Sequence, residues 1–101
     1  MELIVRMKTG FFEKTPYRLE VMEKKLLLIP IQAEVAERIV LEQEEILSVT
    51  LSQRKSPEME IQTRDTVYVG VFEEGVAFEG AANYLKKNLN TKIICEYKGG
   101  N

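Results

Sequence analysis

The chain has 101 residues, 45% of them hydrophobic, and a formal net charge of −2 at pH 7. This length is enough for one domain with a single hydrophobic core. The slightly acidic balance argues against a general nucleic-acid-binding protein, whose affinity depends on clustered lysine and arginine. The longest apolar run, residues 26–31, has the length of a strand, so the sequence predicts no membrane-spanning helix.

Residues 2–72 predict a succession of short β-strands. Apolar side chains recur with a period of two, which is typical of strands. We predict seven strands, at residues 2–8, 17–22, 26–31, 38–42, 47–53, 58–63 and 67–72. Residues 9–16 predict a loop, because Gly10 favours a turn and Pro16 cannot donate to a β-ladder. The strand at 47–53 has the most regular alternation, which predicts that Leu47, Val49 and Leu51 face the core.

The stretch from residue 66 to residue 89 predicts a strand followed directly by a helix. Both faces of the strand at 67–72 are apolar, so we expect both to be covered, one of them by the helix. Phe78, Ala82, Leu85 and Leu89 then form a helical stripe. We interpret this stripe as a core face; the alternative is a face that binds a partner.

Residues 92–97 predict one more strand. The single cysteine, Cys95, lies in it, so no disulfide can form within the chain, and we expect a reduced, cytoplasmic setting. Consecutive short strands with tight turns predict an antiparallel meander, and closing the meander into a barrel would remove its exposed edges.

Three segments resemble the pleckstrin-homology-like (PH-like) superfold, in its GRAM and bacterial PH-like branches. The first hairpin of these branches is similar to YRLEVMEKKLLLIPI. Their strand with an I-x-x-V element, here Ile46 and Val49, is similar to IVLEQEEILSVTLS. Their last strand and closing helix are similar to VYVGVFEEGVAFEGAANYLKKNL. The resemblance covers about residues 15–89. It implies a mainly β fold, a seven-stranded antiparallel barrel closed by a C-terminal helix, with residues 1–101 as a single PH-like domain. The strand at 92–97 departs from the pattern; it could complete its own sheet or add to a neighbour's.

The sequence offers little chemistry for catalysis. It contains no histidine, so neither a Ser–His nor a Cys–His nucleophile system can be assembled. No phosphate-binding or dinucleotide-binding glycine motif occurs. Glu42, Glu44 and Glu45 lack the spacing of a calcium-binding loop and predict a solvated turn. We expect no enzymatic activity, no cofactor and no metal.

A charged rim is the remaining candidate site. If strand direction alternates along the chain, loops 9–16, 32–37 and 54–57 lie at one end of the barrel. The candidate ligand-binding residues at that end are Lys8, Phe11, Phe12, Lys14, Arg38, Arg54 and Lys55. They could bind an anionic group such as a phospholipid headgroup or an acidic peptide. Nearby glutamates, among them Glu13 and Glu58, would cancel much of the field, which favours a solvated rim of mixed charge.

Two functions follow from these observations. We favour a non-catalytic interaction or assembly module that acts through protein–protein contacts, including self-association, which is also what the resemblance implies. The alternative is a peripheral membrane adaptor that binds anionic phospholipid headgroups through the basic loops. A carrier of a small ligand inside the barrel is a third, weaker option.

Overall fold

The computed structural model describes residues 2–8, 14–32, 37–53, 56–73 and 78–97. These residues form strands, one α-helix and a short 3₁₀ turn at Gln43–Glu45. The helix, α1 (Phe78–Asn88), lies between the last two strands in the chain. The strands are β1 (Glu2–Lys8), β2 (Lys14–Met22), β3 (Lys25–Pro30), β4 (Ile39–Glu42), β5 (Ile46–Gln53), β6 (Pro57–Thr63), β7 (Val67–Phe72) and β8 (Lys92–Tyr97).

All of these strands belong to one sheet, in the order β4-β3-β2-β1-β7-β6-β5-β8. Neighbouring strands are antiparallel except β5 and β8, which are parallel. The prediction of a closed seven-stranded barrel is therefore wrong in strand number and in closure. The reason is that β5 pairs with β6 on one side and with β8 on the other, so it has no edge left to pair with β4. The strand predicted at 92–97 is confirmed, and it completes the chain's own sheet.

The core lies between the inner face of this sheet and α1. Leu85 is fully buried, and the whole predicted stripe of Phe78, Ala82, Leu85 and Leu89 is buried, which confirms its interpretation as a core face. The helix lies against β2, β5 and β8. The strands contribute the other large side chains that are fully buried, which are Val5, Leu19, Leu26, Leu28, Val49, Leu51, Met59 and Ile61.

Two hydrogen bonds join α1 to the β2–β3 hairpin. The Tyr84 hydroxyl donates to the Val21 carbonyl at 2.9 Å, and the Lys24 backbone N–H donates to the Asn88 carbonyl at 3.0 Å. Lys24 has a positive φ of 65°, in the left-handed region that a tight turn requires. The second bond satisfies a carbonyl in the last turn of the helix, which has no partner within the helix itself.

A β-bulge near the start of β5 changes which side chains face the core. Ile46 pairs with Thr63 while Ser48 pairs with Gln62, so Leu47 is an extra residue with no partner on β6. A bulge reverses the alternation that precedes it. Ile46 is therefore buried, and Leu47 is 47% exposed. The prediction that Leu47 faces the core is wrong for this reason.

The structure also corrects the predicted loop at 9–16, because β2 already begins at Lys14. Pro16 lies in the strand, opposite Arg6 of β1. The Pro16 carbonyl accepts a hydrogen bond from the Ile31 N–H at 3.2 Å, so the Pro16 nitrogen also faces the β3 side. The last ladder pair with β3 is Tyr17 with Pro30, so the Pro16 nitrogen lies beyond the end of that ladder. A missing N–H costs little at that position.

Strand β7 is covered on one face only. Phe72 and Gly70 are buried, whereas Val67 is 48% exposed and Val69 and Val71 are half-buried. The expectation that both faces are covered is therefore wrong, because α1 lies on the inner face of the sheet. A Cβ atom on Gly70 would lie 2.5 Å from the Met7 sulfur and 2.7 Å from the Val5 Cγ2 atom, so any other residue here would force these β1 side chains to shift.

Candidate functional site

Two of the predicted basic residues, Lys8 and Lys14, lie together. They are directly opposite each other in the ladder pair next to the β1–β2 connection, and both side chains are exposed. The antiparallel register of β1 and β2 is what brings them together. Because like charges opposite each other on a ladder repel, this pair makes a local positive surface rather than a stabilising contact.

Lys14 also lines a pocket of about 290 Å³ with Arg6, Ser56, Val71, Phe72 and Glu73. The register places Arg6 opposite Val71, on the face of the sheet away from α1. The Arg6 Nε atom lies 3.4 Å from the Glu73 Oε1 atom. We call these six residues the basic pocket. It offers two cations to an anionic group, but the Glu73 carboxylate already neutralises one of them.

Of the other predicted basic residues, only Arg38 lies among the described residues, and it is not part of this pocket. Arg38 is exposed and immediately precedes β4, at the far side of the sheet from β7. Phe11, Phe12, Arg54 and Lys55 lie outside the described residues.

The assumption that strand direction alternates along the whole chain is also wrong. In the sheet, β4 and β5 run in the same direction, although they follow each other in the chain. Six antiparallel pairs lie between them, and an even number of reversals restores the original direction. The end of β5 at Gln53 therefore lies at the opposite end of the ladder from the end of β1 at Lys8. The β6–β7 turn lies at the Lys8 end instead.

The acidic residues after β4 border a different, mixed surface. Glu44, Glu45, Thr63, Arg64 and Asp65 line a pocket of about 340 Å³. Its Arg64 guanidinium offsets part of the negative charge. Within the described ranges, no group of three or more histidine, cysteine, aspartate or glutamate side chains is arranged to hold a metal ion.

The edges of the sheet are the structural feature that sequence reasoning placed least well. Among the described residues, β4 and β8 each pair on one side only. Cys95 of β8 borders a groove of about 220 Å³ against α1, with Glu79, Ala82, Asn83 and Lys86 on the helix side. An unpaired strand exposes a row of backbone N–H and C=O groups that another chain can bind.

Comparison with known proteins adds information about the fold. No protein-family model matches the sequence, and a comparison with curated proteins finds no relative. Among solved structures, a chain of the Spt16D Pob3N heterodimer is similar, with a TM-score of 0.67 over 100% of this chain and 58% of that chain. The chain has a PH-like fold. At 18% identity the likeness shows the fold alone.

The GRAM and bacterial PH-like branches stay a prediction. The chain spans 58% of the length of the solved chain that it resembles, so the likeness extends to part of that protein only. No helix within the described parts of the chain is long and apolar enough to cross a membrane. The PH-like pattern ends at the closing helix. The strand at residues 92–97, which follows that helix, was therefore the signal in the sequence for an open edge.

Proposed function

We propose that residues 1–101 form one non-catalytic PH-like domain that acts through protein–protein contacts at the edges of its sheet. The observation that carries this proposal is the open sheet, in which β4 and β8 are paired on one side only within the described residues. Edge strands bind extended segments of other chains through main-chain hydrogen bonds. A closed barrel would offer no such surface.

Two further observations support an interaction role. The similar solved structure is a heterodimer, so a domain of this fold takes part in a protein complex there. The sequence has no histidine, and the described residues hold no cluster of metal-binding side chains, so a catalytic role has little chemistry to rest on.

The molar mass in solution tests this proposal. Light scattering over a series of protein concentrations would be combined with co-sedimentation on neutral and anionic vesicles at low and high salt. We expect a mass above that of the monomer which falls less with salt than vesicle binding does, because pairing of strand edges depends mainly on backbone hydrogen bonds. A chain that stays monomeric and pellets only with anionic vesicles would contradict the proposal.

The basic pocket, together with Lys8 opposite Lys14, favours a second function, that of a peripheral membrane adaptor. Lys8, Lys14 and Arg6 lie on neighbouring strands, and each cation near an anionic surface contributes about 1 kcal/mol. Charge reversal of Lys8 and Lys14 to glutamate should then abolish binding to anionic vesicles. The matched control reverses Lys86 and Lys87, two exposed lysines on α1, with the same change in net charge. Equal loss of binding in both variants would argue against a site at the basic pocket.

A further inference from the structure

The unpaired edge of β8 differs from that of β4 in length and in sequence. β4 has four residues, and a very short edge strand is one of the ways in which proteins prevent unwanted pairing. β8 has six residues, and it pairs with β5 along its whole length. On its other side, nothing in the described part of the chain pairs with it. β8 is therefore the edge better suited to an added strand.

The register of β8 on β5 assigns each β8 residue to a face of the sheet. Lys92, Ile94 and Glu96 lie level with Ser48, Thr50 and Ser52 on the outer face. Ile93 and Cys95 lie level with Val49 and Leu51, on the inner face, and pack against the core. The outer face of β8 thus carries one positive and one negative residue placed symmetrically about Ile94.

We propose that β8 pairs with β8 of a second copy of this chain, antiparallel, about a two-fold axis at Ile94. This inference rests on the proposed function and names its partner. In this register Lys92 lies opposite the partner's Glu96, and the symmetry gives that ion pair twice. Ile93 lies opposite the partner's Cys95, and the two Ile94 residues lie opposite each other. Over residues 92–96 every pair is therefore either of opposite charge or apolar, as stable cross-strand pairs require, and Tyr97 lies opposite the partner's Thr91.

Other antiparallel registers lose this complementarity. Centring the pair on Ile93 places Lys92 opposite Ile94, and centring it on Cys95 places Ile94 opposite Glu96. Registers centred between two residues would oppose inner-face and outer-face side chains, which a regular antiparallel pair does not allow. The registers centred on Ile93 and on Cys95 each set a charged side chain against an apolar one. Of the three registers centred on Ile93, Ile94 and Cys95, the sequence of β8 thus favours the one centred on Ile94.

The groove beside Cys95 supports the same arrangement. Cys95 borders this groove together with Ala82 and three polar residues of α1. In the proposed register the partner's Ile93 lies opposite Cys95 on the same face of the sheet. Its side chain would cover the groove and contact Cys95 and Ala82, which removes apolar surface from water on both copies.

Charge reversal tests this pairing. Sedimentation velocity would measure dimerisation of the wild type, Lys92→Glu, Glu96→Lys and the double variant from about 10 µM to about 1 mM, the range suited to a small, weak interface. Each single variant turns both ion pairs into like-charge pairs, so the dissociation constant should rise about tenfold or more. The double variant restores opposite charges across the axis and should dimerise like the wild type. Lys87→Glu, on the helix, is the control for net charge.

The single cysteine reports the register without any mutation. In the proposed register Cys95 and the partner's Cys95 are diagonal neighbours, with Cα atoms about 7–8 Å apart. That distance exceeds the usual range for a disulfide, so a short bismaleimide should cross-link the dimer and mild oxidation should not. Rapid disulfide formation would indicate a register centred on Cys95 and would overturn the proposal.

The outcomes separate this inference from the proposed function. Loss of dimer in both single variants with recovery in the double variant supports the β8 pairing. A dimer that none of the substitutions weakens, or one that the double variant fails to restore, overturns the pairing and leaves assembly through another surface intact. A chain that stays monomeric over the whole range overturns both the pairing and self-association as its function.

Discussion

Replacing Leu47 and Leu51 by alanine, one at a time, separates a bulged β5 from a regular one. Leu51 is fully buried, and leucine-to-alanine changes in cores cost about 3–5 kcal/mol because they remove apolar contacts and leave a cavity. Leu47 is 47% exposed. Burying a whole leucine is worth about 1.5–3 kcal/mol, so truncating a half-exposed one should cost about 1 kcal/mol, with water filling the space.

Urea unfolding monitored by far-UV circular dichroism measures this difference in the free energy of unfolding. The comparison is valid if the two variants and the wild type share one m-value, because the same surface is then exposed on unfolding. We expect Leu51→Ala to lose at least about 2 kcal/mol more than Leu47→Ala. Regular alternation without the bulge predicts equal losses, so an equal cost at both positions would refute the bulge and the exposure of Leu47.

Three further changes test other contacts of the fold. Gly70→Ala should cost about 1–3 kcal/mol, since its Cβ would overlap the Met7 and Val5 side chains of β1, and calorimetry should show a lower Tm; an unchanged Tm would mean that these side chains move aside at little cost. Tyr84→Phe removes the hydrogen bond to the Val21 carbonyl and should cost about 1 kcal/mol in urea unfolding; no loss would mean that this bond adds nothing in solution. Glu73→Gln breaks an exposed ion pair with Arg6 and should cost less than about 1 kcal/mol at low salt; a larger loss would show that this pair is not a surface contact.

Local periodicity was sufficient to predict most elements of this fold. The alternation in β6 places Met59 and Ile61 in the core, and the helical stripe of α1 places Leu85 there. Both patterns depend only on residues close together in the chain, so they can be read without knowledge of the partners. The bulge at Leu47 is different, because the extra residue becomes visible only when β5 is aligned with β6.

Strand pairing over long distances in the sequence explains what was missed. The parallel pairing of β8 with β5 keeps the sheet open, and no local pattern in either strand predicts this pairing. The candidate site shows the same limit. The proximity of Lys8 and Lys14 follows from the pairing of β1 with β2, which are consecutive in the chain, whereas the approach of Arg6 to Glu73 depends on the pairing of β1 with β7.

The C-terminal strand connects the fold with the proposed function. The PH-like pattern that the sequence resembles ends at the closing helix, and a chain that ended there would leave the second edge of β5 available for closure. Because β8 occupies that edge of β5, the unpaired edge of the sheet belongs to β8. The charged residues of β8 are placed symmetrically about Ile94. The surface available to a partner is then a strand edge of defined sequence instead of a set of loops. Under our proposal, β8 thus both keeps the sheet open and specifies what pairs with it.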